Sequence, residues 1–232
     1  MVQLVGSFFF DNNDNITLFE EHIPSENTVI QYRTLPYLPG KRMAKTPLYI
    51  LVGENAWSAA ECLAYSLQKL KRATIVGEKT NYGAHSTRGP KMLNDYYVVK
   101  MPIGKMVSPI TQSNWEGIGV EPDIKIGVDD ALDTVVLEIL SKKIEQNPDE
   151  NAISELGCWC LKSERIDLAV FVFQENIKRH PDSAECFYNL GKAYLYSGEK
   201  QLAVELFEKS LAINPFNKSI EDIIKQTKIS MD

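Results

Sequence analysis

Pro47-Leu-Tyr-Ile-Leu-Val-Gly-Glu-Asn-Ala-Trp-Ser-Ala-Ala-Glu-Cys-Leu-Ala-Tyr-Ser-Leu-Gln-Lys-Leu-Lys71 changes its hydrophobic period part-way along. Leu48 to Val52 is a short apolar run, strand-like in length and β-rich in composition. Gly53, Glu54 and Asn55 make a turn. Beyond it Ala60, Leu63, Ala64, Leu67 and Leu70 fall at helical spacing and define one apolar face. Ser58 stands where that helix begins, and two readings apply to it. With Glu61 it forms the S-x-x-E capping box, which stabilises a helix start by about 1 kcal/mol. A serine there also lies in the positive field of a helix N-terminus, beside backbone N–H groups that the helix itself does not use. That is a suitable seat for a nucleophile whose reaction develops an oxyanion. On spacing alone the cap is the simpler reading.

Downstream, Ala73-Thr-Ile-Val-Gly-Glu78 is a second short buried strand, and Lys69, Lys71 and Arg72 close the helix before it as cations complementing its C-terminal dipole. Strand, helix and strand at this spacing form a βαβ unit, so the two strands are expected parallel and both buried. Asn81 to Pro90 is a polar loop, and Tyr96 to Met101 is another strand. Ser113 to Asp123 is a glycine-punctuated loop leading into Ile124-Lys-Ile126. Its Gly117-x-Gly119 is not a phosphate loop, because no helix follows and the third glycine is missing.

Upstream, residues 1–10 are almost wholly apolar, and their Val and Phe content favours a strand over a helix. Chains normally start in polar surface residues, so this opening suggests that the sequence lacks its beginning. Asp11 to Asn15 is a turn, two strands follow around Ile16–Phe19 and Thr28–Arg33, and a Pro/Gly-rich loop runs from Pro36 to Pro47.

Asp129 to about Asn147 reads as a helix capped by Asp129 or Asp130, with Leu132, Val135, Val136, Ile139 and Leu140 inside, and Pro148-Asp-Glu150 marks a boundary. Beyond it Leu156, Gly157, Ala169, Phe173 and Pro181 recur 34 residues later as Leu190, Gly191, Ala203, Phe207 and Pro215. Period and order of small and large residues resemble the tetratricopeptide repeat. Cys160 departs from the aromatic expected in the first copy. Two copies are few for an independent array, so the module is expected to lean on the preceding helix, with a capping helix over 217–229. The expected organisation is residues 1–128, a linking helix 129–148, and repeats over 149–232 (149–182 and 183–216, plus the cap).

Composition sets outer bounds. A 232-residue chain, 44% hydrophobic and 24% charged, is an ordinary globular protein of one large or two small domains. Its net charge of −6 argues against nucleic acid or an anionic membrane as partner. No apolar run approaches the roughly 18 residues that cross a bilayer, and Met1 to Phe10 lacks the basic region and cleavage site of a signal peptide. The compartment is therefore left open; an extracytoplasmic one would require a longer N-terminal part. Four cysteines (62, 158, 160, 186) and three histidines (22, 85, 180) show no disulfide or metal spacing, so no cofactor or metal is expected.

Taken together, Tyr32-Arg-Thr-Leu-Pro, Ser58-Ala-Ala-Glu-x-x-Ala-Tyr65, Lys71-Arg-Ala-Thr-Ile-Val-Gly-Glu78, Gly83-Ala-His85 and Asn114-Trp-Glu-Gly-x-Gly-Val-x-Pro-Asp123 fall in family-like order. Residues 1 to about 127 thus resemble the C-terminal half of a tail-specific (C-terminal-processing) serine protease domain, in its tricorn and interphotoreceptor-retinoid-binding-protein-like branch. The resemblance implies an α/β crotonase-like fold, a ββα spiral, ahead of the all-α repeats. It implies a peptide or protein substrate cleaved through an acyl-enzyme on Ser58, with the Ala59 N–H as an oxyanion donor and Glu61 capping beside it. Glu116 would match the supporting acid, and His85 a family histidine next to the site.

Two departures accompany it. The processing-protease branch places a dyad lysine just past a G-E-x-T strand end, where this chain has Gly83-Ala84-His85; Lys79 belongs to a different motif position. The tricorn-like branch takes its base from an upstream histidine and a second oxyanion N–H from a D-x-R-x-N-x-G-G segment, both missing from residues 1–232. A serine without a base has little nucleophilicity. The rival expectation is therefore a non-catalytic scaffold, a decayed peptidase core whose tetratricopeptide module holds a protein partner.

Overall fold

In the computed structural model, which describes residues 1–81, 83–87 and 89–231, the apolar N-terminus is a helix, α1 (Val2–Ser7), and not the expected strand. A short apolar run fits either state, and tertiary partners decide here. The buried Ser7 hydroxyl donates to the Gln3 carbonyl (2.6 Å) and accepts from the Leu35 N–H (2.9 Å). The chain divides into two compact units, Met1–Val135 and Val136–Asp232, with the division inside the helix expected to link them.

The first unit is α/β. Strands β1 (Thr17–Ile23) and β2 (Thr28–Arg33) form an antiparallel hairpin, Glu20 opposite Gln31. After β3 (Tyr49–Val52), α2 (Ala59–Lys69) and β4 (Thr74–Gly77) come three short strands, β5 (His85–Thr87), β6 (Lys91–Met92) and β7 (Val98–Val99). Strands β8 (Pro102–Val107) and β9 (Ile124–Lys125) complete the set. One sheet runs β2-β1-β8-β5, a second β3-β4-β9, and β6 pairs with β7. The expected βαβ unit is present, β3 and β4 being parallel with Tyr49 opposite Thr74. Strand β3 is only half-buried, however, and Leu51 is exposed. Of the strand expected over Tyr96–Met101, only Val98–Val99 pairs. Tyr82 and Arg88, in the expected polar loop 81–90, and the terminal Asp232 lie outside the described residues.

Helix α2 is buried more broadly than its stripe predicts. Glu61, Cys62, Ala64, Tyr65, Ser66 and Leu67 are all buried, whereas Ala60 is exposed. The cause is its position: α1, β1 and β4 all pack against it. Arg72, just past the helix end, also holds distant backbone. It donates from Nε to the Phe9 carbonyl (2.6 Å) and from its second η nitrogen to the carbonyls of Met43 (2.7 Å) and Thr46 (2.8 Å). Asp123 fastens the second sheet, accepting from the Ile75 N–H (2.7 Å) and from Gln68 Nε2 (2.9 Å).

Helix α3 (Val128–Gln146) carries acidic residues in its first turn; Leu132, expected inside, is half-exposed, while Ala131 and Val135 are buried. In the second unit, Leu140 and Ile144 of α3 pack into the core of α4 (Glu150–Lys162) and α5 (Ile166–Arg179). Helices α6 (Ala184–Tyr196) and α7 (Lys200–Ile213) repeat that pair, and α8 (Lys218–Ile229) follows. The period reaches single atoms. Asn176 Nδ2 donates to the Glu150 carbonyl (3.0 Å), and 34 residues on, Ser210 Oγ donates to the Ala184 carbonyl (2.7 Å). Each copy also sets a phenylalanine ring against a helical glycine, Phe173 on Gly157 and Phe207 on Gly191.

Candidate active site

Ser58 is the first residue before α2, immediately after the turn that leaves β3. Its backbone is at φ 55°, ψ −108°, a left-handed conformation that a residue with a side chain adopts only under constraint. A serine on a sharp, strained strand-to-helix turn projects its hydroxyl away from the fold, the geometry of a nucleophile elbow. Ser58 is exposed accordingly. The expected capping box is present, with the Ser58 N–H donating to Glu61 Oε2 at 2.9 Å. Glu61 itself is fully buried, and its other oxygen accepts from the Thr80 hydroxyl at 2.5 Å. Ala59 is the first helical residue, so its N–H has no partner within the helix.

A cleft of about 300 Å³ opens at Ser58. Its apolar wall is Val2, Phe19, Cys62, Met106 and Trp115; Ser58, His85, Ser86 and Thr87 supply its polar groups. Burial pushes the Cys62 thiol up to about 12, so this lining residue is a neutral thiol at physiological pH. Trp115 is buried against Tyr65, ring centroids 5.3 Å apart. The adjacent Glu116 turns back to the cleft rim, where Oε2 accepts from the Ala84 N–H at 2.6 Å and lies 3.6 Å from His85 Nδ1. His85 and Glu116 are both about 40% exposed, at 40% and 41%.

The fold therefore brings Ser58, Ala59 and His85 to one cleft, with Glu61 beneath the serine and Glu116 on the rim. It does not bring the other candidate bases there. Lys79 lies 3.7 Å from Glu121 and lines a different cleft, and His22 bonds to Glu20 (2.9 Å). Sequence reasoning passed over Thr80 and Met106. Thr80 completes the G-E-x-T at the end of β4, a signal that could have found it; Met106 sits in a strand that Pro102 and Gly104 disguise. Among the described residues, no group of histidine, cysteine and acidic side chains could hold a metal ion.

Residues 4–126, more than half of the chain, match the model of Peptidase family S41, and the chain belongs to that family. Residues 184–217 match the tetratricopeptide repeat. Among curated relatives, carboxyl-terminal-processing peptidase 3 (chloroplastic) of Arabidopsis thaliana is 29% identical over 107 residues, covering 45% of this chain and 20% of the relative. Carboxyl-terminal-processing peptidase 1 (chloroplastic) of the same plant is 30% identical over 121 residues, covering 52% and 23%. The chain thus spans about a fifth of the length of the curated relatives it matches. Among solved structures, the photosystem II D1 C-terminal processing protease matches at 24% identity with a TM-score of 0.44, covering 55% of this chain and 31% of that one. MamA matches at 20% identity with a TM-score of 0.37, covering 48% of this chain and 67% of that one. No helix among the described residues is long and apolar enough to cross a membrane.

Proposed function

We propose that the first unit carries the acyl-transfer centre of a serine endopeptidase, built on part of a crotonase-like ββα spiral, and that its substrate is an extended peptide. The observation that carries the reading is Ser58: held at φ 55° on a strand-to-helix turn, anchored through its N–H to buried Glu61, and open to a cleft. In this reading Ser58 Oγ, its proton passed to a general base, attacks the scissile carbonyl carbon. The oxyanion forms beside the Ala59 N–H, a donor of a kind worth about 3 kcal/mol of transition-state stabilisation. Collapse of the tetrahedral intermediate breaks the C–N bond, the leaving amine takes a proton, and water then hydrolyses the Ser58 ester. Glu116 orders the cleft rim through the Ala84 N–H, and the apolar wall receives a substrate side chain.

A fluorophosphonate probe tests this. In the protein, with any sequence its gene encodes in frame ahead of Met1, the probe should attach to Ser58 and fail on Ser58→Ala. Absence of the adduct from the native protein, or equal labelling of the variant, overturns the reading.

A second reading rests on the helical unit. Tyr188, Lys192, Tyr196, Phe207 and Ile223 line a groove of about 480 Å³, suited to a peptide or protein partner, and the chain would then be a binding scaffold. Cells lacking the native chain decide between the two. Rescue by Ser58→Ala as complete as by the native sequence favours the scaffold.

A further inference from the structure

Thr80 is buried three residues past the end of β4, and it ties together the two segments that carry the site. Its hydroxyl accepts from the Val120 N–H at 2.7 Å. An amide can only donate, so the single hydroxyl proton is directed elsewhere, to Glu61 Oε1 at 2.5 Å. The other Glu61 oxygen receives the Ser58 N–H. The Thr80 backbone N–H donates to the Val120 carbonyl (3.2 Å), so side chain and main chain grip the same residue.

Val120 ends the turn that holds Trp115 and Glu116. That turn is closed by the Gly119 N–H on the Trp115 carbonyl (2.8 Å). Gly119 has φ +77°, and a Cβ there would collide with the Thr80 carbonyl, so the turn sits on Thr80 as closely as backbone allows. At its start, Glu116 reaches the Ala84 N–H beside the cleft.

We propose that Thr80 is a positioning residue for the reaction. Through Glu61 it holds Ser58 in its strained conformation, and through Val120 it keeps the turn bearing Glu116 in register with that serine. The inference rests on Ser58 being the nucleophile proposed above. Threonine suits the place because it donates and accepts at once. Valine, of the same shape, would take the hydroxyl donor from a buried carboxylate and the acceptor from the Val120 N–H, and Ser58 would relax.

Two readouts test it: amide hydrogen exchange at Ser58, and the rate constant of fluorophosphonate inactivation. In Thr80→Val, Ser58 exchange should quicken and inactivation slow, each by at least about tenfold, the scale of a lost hydrogen bond to a charged group. Exchange in β1 and β2 should stay native, and the loss should fall on the inactivation rate constant, not on probe affinity. Thr80→Ser, which keeps the hydroxyl, should restore both readouts. Glu61→Gln should act like Thr80→Val, and the double variant should be no slower than the worse single. Native values in Thr80→Val, or a Thr80→Ser as impaired as Thr80→Val, overturn the proposal. Should Thr80→Val not fold, Thr80→Cys with its weaker donor should fall between, and native behaviour in it is equally fatal. A native protein that takes no probe defeats the peptidase reading instead, and Ser58 exchange still decides the clamp.

Discussion

The Phe173 ring occupies the space that a side chain on Gly157 would need, and Phe207 repeats the contact on Gly191 in the next helix pair. This close approach lets α4 pack on α5 and α6 on α7. Two effects of opposite sign meet in Gly157→Ala. Alanine gains about 1 kcal/mol over glycine in a helix interior. Overpacking a filled core costs about 1–3 kcal/mol. The new methyl would lie 2.3 Å from the ring's Cε1, so packing wins. Gly157→Ala should lower the denaturation midpoint of the helical signal, and more than Gly191→Ala, whose nearest ring atom is 2.6 Å from the added Cβ. A stabilised Gly157→Ala would show that the helices separate freely.

Arg72 supports the first unit in a way its charge alone did not announce. One guanidinium bonds to three carbonyls, of Phe9, Met43 and Thr46, and lies 5.6 Å from the Phe9 ring centroid. It thereby ties the segment after α1 and the loop before β3 to the end of α2. Lysine keeps the charge but not the planar fork, so Arg72→Lys should not be conservative. A loss of about 2 kcal/mol is expected in urea unfolding of the first unit, the scale of charge-assisted hydrogen bonds. An unchanged midpoint would remove Arg72 from this role.

What the sequence disclosed follows from what periodicity can report. The βαβ unit and the 34-residue repeat were legible because a change of period and a fixed offset are collective signals, spread over many residues. Residues 1–10 had no period to read, and buried Ser7, bonded to Gln3 and Leu35, belongs to a helix. Strand β8 was hidden by Pro102 at its first position and by Gly104. Ser58 and Glu61 were visible as a cap, and motif resemblance made Ser58 a candidate nucleophile. Its φ of 55° and the Thr80 hydrogen bonds were not visible, since dihedrals and long-range partners leave no local pattern.

Acid should loosen the β1–β2 hairpin. Hydrogen bonds from His22 and then Gln31 hold the Glu20 carboxyl below its ordinary value of 4.5. A carboxyl with a depressed folded pKa contributes stability that is fully present above the unfolded value and is lost as pH falls through the folded one. Glu20→Gln should therefore reduce stability above pH 4.5 and shrink its difference from the native chain as the pH drops below that. Denaturant midpoints across that range check the sign, and a difference that widens in acid would reverse it.

Cys62 gives the cleft a control. With its thiol pushed up to about 12 by burial, almost no thiolate exists near neutrality, and the residue is buried besides. Iodoacetamide at pH 8 should modify half-exposed Cys158 before Cys62, and Cys62 only as the first unit unfolds. Rapid native alkylation of Cys62, read by peptide mapping, would make the thiol a competitor to Ser58 in the same cleft.

Glu116 makes two contacts of unequal weight, and the inequality predicts an order. Its bond from the Ala84 N–H, at 2.6 Å, is short and charge-assisted, a class worth about 1.5–3 kcal/mol. Its approach to His85, at 3.6 Å between half-exposed groups, belongs to a class worth about 0–1 kcal/mol. If Ser58 is the nucleophile, Glu116→Ala should slow fluorophosphonate labelling by about tenfold or more, because the cleft rim at Ala84 loses its anchor. His85→Ala should slow it by no more than about fivefold, the rate equivalent of that weaker contact. Labelling rates of the two variants and the native protein, compared at one pH, check the order. A His85→Ala chain that loses labelling altogether would make the histidine, and not Glu116, the group on which Ser58 depends.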